Sequence, residues 1–204
     1  MKFKSLIFTA AVCSFVLSAG TVALPAPQRE GGMALMQALN ERKTVRAYKS
    51  DELSNQQVSD LLWSANGINR KDGKRTAPSA VNRQEIDLYL ITSKAVFKYD
   101  PQANVLEKVK DGDFRKWAGK FKAPVYVALV ADLKKAVSAD YAKVDAGYVS
   151  QNIYLYCASS GLGTCAIGSF NSIAGSGKGA KLREALGLNK NQIVVLTHSV
   201  GIRK

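Results

Sequence analysis

The chain has 204 residues, 47% of them hydrophobic and 22% charged, with a formal net charge of +13. This composition is that of an ordinary globular protein and excludes a disordered chain, and the length allows one domain with a substantial core. The positive charge favours anionic partners, such as a phosphate-bearing cofactor or an acidic substrate. We expect no nucleic-acid partner, because the basic residues are scattered and form no recognised nucleic-acid motif.

The N-terminal segment has the pattern of a secretory signal peptide. Lys2 and Lys4 precede an apolar run, and small residues follow it. The apolar run is shorter than a typical membrane-spanning helix. Cleavage is predicted after Gly20 or Ala23, with an uncleaved anchor as the alternative. We therefore expect an exported, periplasmic protein without a stable membrane span, and a mature net charge of +11. The predicted units are a signal peptide (1–23), a flexible leader (24–32) and a folded domain (33–204).

Hydrophobic periodicity and chain breakers divide the rest of the sequence into helices and strands. The predicted elements, in chain order, are a helix over 32–42, a helix over 53–69, a loop over 69–84, a strand over 85–92, a hairpin around 100–104, a short helix within 111–121, a strand over 123–132, a helix over 138–163, an extended segment over 164–170, a helix over 177–188 and a strand over 191–202. Ser54 and Gln57 form a capping box for the second helix, and Gly67 ends it.

Two of these elements have informative patterns. The run 123–132 is almost continuously apolar, which predicts a buried central strand. The helix over 138–163 has small and apolar residues on nearly every side, so we expect it to be covered by packing all round. Gly161 and Gly163 are predicted to end this helix.

Three familiar catalytic or nucleotide-binding patterns are each incomplete in this sequence. The single histidine, His198, lies in the final apolar strand without a G-x-S-x-G elbow, so we expect a packed strand histidine. The glycines of 161–166 follow a helix, whereas a dinucleotide fingerprint follows a strand. The stretch 175–181 lacks the first glycine and the Ser/Thr of a P-loop. Cys157 and Cys165 are predicted to be buried free thiols without metal-ligand spacing, with a disulfide as the alternative.

Two polar stretches point to a phosphate-bearing ligand. In an extended chain, alternate residues of RKTVR (42–46) share one face, which suits a phosphate. The residues on that face are Arg42, Thr44 and Arg46. The loop APSAVNRQ (77–84) offers polar groups to the edge of a heterocycle, from Ser79, Asn82 and Gln84. Taken alone, the first stretch is equally typical of a solvated basic turn and the second of an ordinary polar loop.

Five segments in order resemble the FMN-dependent nitroreductase family, from about residue 35 to the C-terminus. They are RKTVR, APSAVNRQ, the helix DAGYVSQNIYLYCASSGLG, CAIGSF directly after it, and the ending LGLNKNQIVVLTHSVGIRK. The resemblance implies an α+β fold, a three-layer sandwich in which helices flank a central, mostly antiparallel sheet. It also implies an intertwined homodimer in which each FMN site draws on both chains. The hairpin region is similar to the branch that includes azoline-oxidising flavin dehydrogenases.

The resemblance also implies a role for each motif residue. The FMN phosphate and ribityl chain would be held by Arg42, Lys43, Thr44 and Arg46, with a further phosphate contact from Arg203. Asn82 would bond to the flavin ring, with Ser79 and Gln84 close by. The backbone would approach the ring around N5 at Ala166, Ile167, Gly168 and Ser169. Because the flavin carries the chemistry, neither a catalytic side chain nor a metal is expected.

The implied function is that of an FMN-dependent oxidoreductase. It would transfer two electrons by a ping-pong mechanism from a small-molecule donor to a small organic acceptor, such as a quinone or a nitroaromatic compound. The alternatives are a non-catalytic flavin- or ligand-binding protein of the cell envelope that keeps the fold, and a basic envelope-associated structural protein. NAD(P)H is the family's usual donor but is scarce outside the cytoplasm, so an exported member would use another donor or bind flavin without fast turnover.

Overall fold

The computed structural model describes residues 20–168 and 177–204. The elements in chain order are β1 (Thr21–Ala23), α1 (Leu35–Glu41), α2 (Asn55–Asn66), a 3₁₀ turn (Ala80–Asn82), β2 (Ile86–Ile91), β3 (Ala95–Asp100), β4 (Val105–Asp111), α3 (Arg115–Ala118), β5 (Val125–Asp132), α4 (Ala139–Ser159), β6 (Leu162–Ile167), α5 (Gly177–Ala185) and β7 (Gln192–Ile202). Ser169 and most of the predicted signal peptide lie outside the described residues.

One seven-stranded sheet organises the fold. Its strand order is β1-β4-β3-β2-β5-β7-β6, and each neighbouring pair is antiparallel. Helices α2 and α4 pack on one face, and helices α3 and α5 on the other. The predicted α+β sandwich with a mostly antiparallel sheet is therefore confirmed.

Strand β5 lies near the middle of the sheet and is buried on both sides, as its apolar run predicts. Its alternate side chains pack into the two hydrophobic clusters, one on each face of the sheet. Val125, Val127 and Leu129 face α2 and α4, while Tyr126 and Ala128 face the layer with α3 and α5. The predicted capping box of α2 is also confirmed. The Ser54 side chain accepts from the Gln57 backbone N–H, and Gln57 Oε1 accepts from the Ser54 backbone N–H.

Helix α4 is buried along one face only. Tyr141, Val144 and Tyr148 are 53%, 52% and 47% exposed, and their i, i+3, i+7 spacing places them on one side of the helix. The expectation that this helix is covered all round is wrong for a single chain, because the sheet and α2 cover only the opposite side.

Only one of the two glycines after α4 ends the helix. Gly161 takes the left-handed conformation, with φ of +73°, at the helix end. Gly163 lies inside β6 instead. A Cβ atom at Gly163 would stand 2.6 Å from the Val45 side chain, so the absent side chain lets the basic segment approach the strand.

The leader was expected to be flexible, but its residues make specific contacts. The Pro25 carbonyl accepts hydrogen bonds from Ser59 Oγ at 2.6 Å and Asn104 Nδ2 at 2.8 Å. The Gln28 backbone N–H donates to Asp60 Oδ1 at 2.8 Å. These bonds hold the leader against α2 and the β3–β4 turn. Among the described residues, no helix is both long and apolar enough to cross a membrane.

Candidate functional site

The basic segment RKTVR runs beside the edge strand β6. The Val45 backbone N–H donates to the Thr164 carbonyl at 2.9 Å, and Thr44 forms an isolated parallel bridge with Thr164. Gly163 permits this close approach. The pairing places the predicted phosphate ligands next to the strand that carries the predicted ring contacts.

Tyr154 on α4 contacts both the basic segment and strand β6. Its hydroxyl accepts from the Ala166 backbone N–H at 3.0 Å and lies 3.3 Å from Thr44 Oγ1. The Arg42 guanidinium stacks 5.3 Å from the centre of its ring. Sequence reasoning missed Tyr154, because nothing in the local pattern distinguishes it from the other tyrosines of the helix.

A cavity of about 430 Å³ opens at the end of β6. It brings together four of the predicted site residues, namely Arg46, Ala166, Ile167 and Gly168. The opposite wall comes from the segment around α3, chiefly Trp117, Lys120 and Phe121. This wall was not predicted, although each aromatic residue of 116–122 directly follows a lysine, which is a usable signal for a ligand-facing segment.

The floor of the cavity has exposed backbone groups because β6 is the last strand of the sheet. Alternate residues of an edge strand direct their N–H and C=O groups away from the sheet. The Thr164 carbonyl and the Ala166 N–H point outward in this way, since they bond to Val45 and Tyr154. Gly168, directly after the end of β6, lines the cavity.

His198 lies behind this floor and is fully buried. Its Nε2 lies 2.8 Å from Ser150 Oγ, and its Nδ1 lies 2.9 Å from Thr164 Oγ1. Burial lowers the pKa of His198 to about 3, so the ring is neutral at physiological pH. The prediction of a packed strand histidine is confirmed. The two cysteines are also free and buried, as predicted, and burial raises the pKa of Cys157.

The loop 79–84 is braced by its own polar groups. Gln84 Nε2 donates to the Gly73 carbonyl and to Asn82 Oδ1, both at 3.1 Å, while Gln84 Oε1 accepts from Arg75 at 3.0 Å. Ser79 Oγ accepts from the Gln84 backbone N–H at 2.9 Å. Ser79 and Gln84 therefore shape the loop, and Asn82 is exposed.

The tip of this loop holds an unusual backbone conformation. Val81 and Asn82 have φ of +50° and +55°, the left-handed region that a β-branched residue rarely adopts. The Val81 side chain is 81% exposed, so packing within the chain does not impose the conformation. Strained, exposed backbone of this kind is common where a loop meets a ligand or a partner.

Within one chain, the loop and the basic segment lie apart. The Ala80 N–H donates to Asp145 on α4 at 2.8 Å, whereas Thr44 contacts Tyr154, nine positions further along the helix. At 1.5 Å per residue this separation is about 13 Å along the axis. The structure thus brings Arg46 of the basic segment to the cavity, places Arg42 and Thr44 at Tyr154, and brings none of Ser79, Asn82 and Gln84 to the cavity.

Arg203 is engaged with the end of α4. Its Nε donates to the Leu162 carbonyl at 2.6 Å, and its Nη2 donates to the carbonyls of Cys157 and Ala158 at 3.3 and 3.4 Å. An arginine at this position satisfies the last carbonyls of the helix and complements its dipole. A phosphate contact from Arg203 stays a prediction.

A sequence model of the nitroreductase family matches residues 39–202. The chain belongs to the nitroreductase family. This confirms the family predicted from the sequence and, with it, the enzyme class of oxidoreductase. Among curated proteins, a nitroreductase homologue of Methanocaldococcus jannaschii is 28% identical over 156 residues, which cover 67% of this chain and 79% of the relative.

Solved structures of nitroreductase homologues share the fold. One from Ralstonia eutropha JMP134 is 32% identical, covers 98% of this chain and 96% of its own, and has a TM-score of 0.82. Another, from Desulfovibrio desulfuricans and described in complex with FMN, is 19% identical with a TM-score of 0.61, over 85% of this chain and 88% of its own. An FMN-dependent nitroreductase from Clostridium difficile R20291 is 20% identical with a TM-score of 0.60, over 83% and 87%.

Proposed function

We propose that this nitroreductase-family protein binds FMN in the cavity beside β6. Bound there, it would transfer two electrons by a ping-pong mechanism from a small-molecule donor to a small organic acceptor, such as a quinone or a nitroaromatic compound. The observation that carries the proposal is the cavity itself, which joins the cationic Arg46 to the segment Ala166–Gly168 at the end of β6. Two structural relatives described with FMN support the choice of cofactor.

The residues present fit an anionic flavin. Arg42 and Thr44 both contact Tyr154, and Arg46 lines the cavity, so the basic segment offers positive charge and a hydroxyl that suit a phosphate and a polyol chain, with Lys43 next to them in sequence. The Gly168 N–H is a backbone donor at the floor, where a ring nitrogen could accept. A Cβ atom at Gly168 would lie 3.5 Å from Leu196, an ordinary contact, so packing does not require glycine there. Open backbone at this position leaves room for a flat ring.

The chain's own task is binding and orientation. FMN, when bound, supplies the hydride chemistry by accepting two electrons and passing them on. Tyr154 holds the floor and the basic segment in register through Ala166 and Thr44. The buried, neutral His198 supports Thr164 from behind and lines no part of the cavity.

A homodimer would complete the site. The exposed stripe of Tyr141, Val144 and Tyr148 lies on α4 around Asp145, which holds the loop, and N-terminal to Tyr154, which contacts the basic segment. Further exposed apolar side chains on α1 are Leu35, Met36 and Leu39. Apolar side chains of this extent on a globular protein favour burial against a partner. Packing α4 against a second copy would bring the strained Asn82 loop of one chain toward the basic segment of the other.

The cofactor is tested by titrating purified protein with FMN and following flavin fluorescence. Arg42→Ala should weaken binding by about 1.5–3 kcal/mol, the cost of a lost charged hydrogen bond, which raises the Kd roughly tenfold to a hundredfold. Arg29→Ala is a matched control, since Arg29 also stacks 5.3 Å from an aromatic ring, that of Trp63, but not beside the cavity. Failure of the wild-type protein to bind FMN would refute the proposal.

An enzyme and a non-catalytic flavin-binding protein differ in how organic acceptors reoxidise the reduced flavin. Flavin reduced anaerobically on the protein should be reoxidised by quinones or nitroaromatic compounds, with two electrons per acceptor. Flavin that binds tightly yet persists in the reduced form with every organic acceptor would favour the alternative of a flavin-binding envelope protein. An unchanged melting temperature with excess FMN would favour a structural protein, because a ligand bound only by the native state must stabilise it.

A further inference from the structure

A second, larger depression adjoins the proposed flavin cavity. Its volume is about 1170 Å³, and it shares Gly119, Lys120 and Phe121 with the 430 Å³ cavity. Gly119 stands at the boundary, where a Cβ atom would meet Tyr126 at 2.4 Å and Ile167 at 2.7 Å. The larger depression, called the lysine groove below, therefore adjoins the flavin cavity along the shared segment Gly119–Phe121.

The lysine groove carries an excess of positive charge. Six basic residues line it: Lys49, Arg115, Lys116, Lys120, Lys122 and Lys204. Its two acids already have cationic partners, since Asp113 pairs with Arg115 at 2.7 Å and Glu52 with Lys94 at 3.5 Å. Within 20–168 and 177–204, none of the five lysines of the groove forms an ion pair with an acidic side chain. The net field of the groove is cationic.

The wall between the groove and the cavity is fixed. Arg115 Nη1 donates to the carbonyls of Ala123 and Pro124 at 3.3 and 3.1 Å, and the Tyr126 hydroxyl donates to the Phe121 carbonyl. Thr197 Oγ1 donates to the Ala118 carbonyl at 2.6 Å. Because both ends of the segment are tied to the sheet, its lysines extend from an ordered backbone rather than a mobile loop.

Aromatic rings lie among these charges. Lys116 Nζ stands 4.8 Å from the centre of the Trp117 ring, and Lys120 Nζ stands 5.6 Å from that of Phe121. Trp117 and Phe121 also line the flavin cavity. An apolar ring surface with cations at its margin suits a ligand that combines an aromatic ring with an anionic group.

From this arrangement we propose that the lysine groove selects anionic aromatic acceptors. The ring would lie in the groove against the Gly119–Phe121 segment that it shares with the flavin cavity, with its carboxylate directed toward Lys122 and Lys49. The inference rests on the proposed function and names its acceptor class. For a nitro compound, a hydride from the reduced flavin and a proton from water convert the nitro group to nitroso, one N–O bond breaks, and water leaves.

The test compares 4-nitrobenzoate with 4-nitrobenzamide, which differ mainly in charge. Flavin on the protein is reduced with stoichiometric dithionite, and its reoxidation by each compound is followed anaerobically at low and high salt. We expect 4-nitrobenzoate to react faster relative to 4-nitrobenzamide at low salt, with the preference shrinking as salt screens the groove. This half-reaction excludes any contribution from the electron donor.

Charge-reversal variants show whether the preference for 4-nitrobenzoate arises in the lysine groove. Lys49→Glu/Lys122→Glu changes two groove lysines that do not line the flavin cavity, and should lower the benzoate-to-benzamide ratio by about tenfold. Lys134→Glu/Lys135→Glu makes the same change of charge beyond the other end of β5, about 26 Å away, and should leave the ratio unchanged. Calorimetric titration with benzoate and benzamide gives a second readout that needs no electron transfer.

The outcomes separate the two proposals. No reoxidation by either compound would refute the proposed function. Reoxidation by both without a salt-dependent preference for 4-nitrobenzoate would refute only the role of the groove. Equal loss of preference in both double variants would also refute it, since the effect would then belong to net charge.

Discussion

The Tyr154 hydroxyl accepts a hydrogen bond from the Ala166 backbone N–H at 3.0 Å. The same hydroxyl lies 3.3 Å from Thr44 Oγ1, so one side chain connects the floor of the cavity to the basic segment. This hydrogen bond uses the Ala166 N–H within the chain, so that donor is not free for a ligand. Tyr154 is therefore a positioning residue for both halves of the site contributed by this chain.

Tyr154→Phe should weaken FMN binding by about 0.5–1.5 kcal/mol, because it keeps the ring under Arg42 but removes one or two hydrogen bonds. The measurement is an FMN titration by fluorescence. Tyr156→Phe is the control, since that hydroxyl donates to the Gln57 carbonyl on α2 at 3.4 Å, away from Thr44 and Ala166. Equal FMN affinity in wild type and Tyr154→Phe would remove the positioning role.

Glu85 gives a prediction about pH. Burial raises the pKa of Glu85, and the neighbouring Asp145 carboxyl raises it further. The folded chain therefore holds a proton that the unfolded chain releases, and stability falls as pH rises through the folded-state pKa. Glu85→Gln, which mimics the protonated acid, should stabilise the protein in mildly alkaline solution and flatten this decline.

Urea denaturation between pH 5 and pH 8.5 measures the effect of Glu85, with the exposed Glu107→Gln as a control. Asp145 also holds the Ala80 N–H, so the loop 79–84 should be ordered more uniformly across this range in Glu85→Gln. A Glu85→Gln variant that is less stable than wild type at pH 8 would contradict the assignment.

His198 produces the opposite dependence. Its pKa is about 3 in the folded chain against about 6.5 unfolded, so only the unfolded state takes up a proton between these values. Stability contributed by His198 is present above pH 6.5 and lost as pH falls, by up to about 1.4 kcal/mol per pH unit. Because the chain has one histidine, His198→Gln in the Glu85→Gln background should lose this slope between pH 6.5 and pH 5. An unchanged slope would show that another group is responsible.

The N-terminus of the mature protein is a further prediction. We expect export with cleavage after Gly20, because Thr21, Val22 and Ala23 pair with Glu107, Leu106 and Val105 of β4. Cleavage after Ala23 would remove this strand and expose the edge of β4. Intact mass and N-terminal sequencing of the exported protein would show Thr21 as the first residue. A first residue of Leu24, or a retained signal segment, would overturn this expectation.

The elements that sequence predicts best are those set by local patterns. The continuous apolar run of β5 and the Ser54–Gln57 capping box are confirmed because burial on both faces and helix capping leave regular signatures within a few residues. The family can be identified from the sequence because each of its five segments is a short motif and the motifs follow one another in a fixed order. The spacing of RKTVR predicts a shared face for Arg42, Thr44 and Arg46 toward a phosphate; Arg42 and Thr44 both contact Tyr154, and the phosphate role stays a prediction.

The features that sequence misses depend on contacts between distant parts of the chain. Tyr154 becomes important only because Thr44 and Ala166 meet it, 110 and 12 residues away in sequence. Gly163 belongs to β6 rather than the helix end because Val45 packs against it. Single hydrogen bonds hold leader residues against α2, and the amino-acid composition of the leader does not predict such bonds.

The central claim is an FMN site that two chains share, and mixed dimers test it most directly. Arg42→Ala and Asn82→Ala should each weaken FMN binding alone. Refolding equal amounts of both variants together would give dimers in which one site carries both substitutions and the other carries neither. We expect about a quarter of all sites then to bind FMN with wild-type affinity, as random pairing of a C₂ dimer gives. No recovery on mixing, while both variants remain folded dimers, would contradict it.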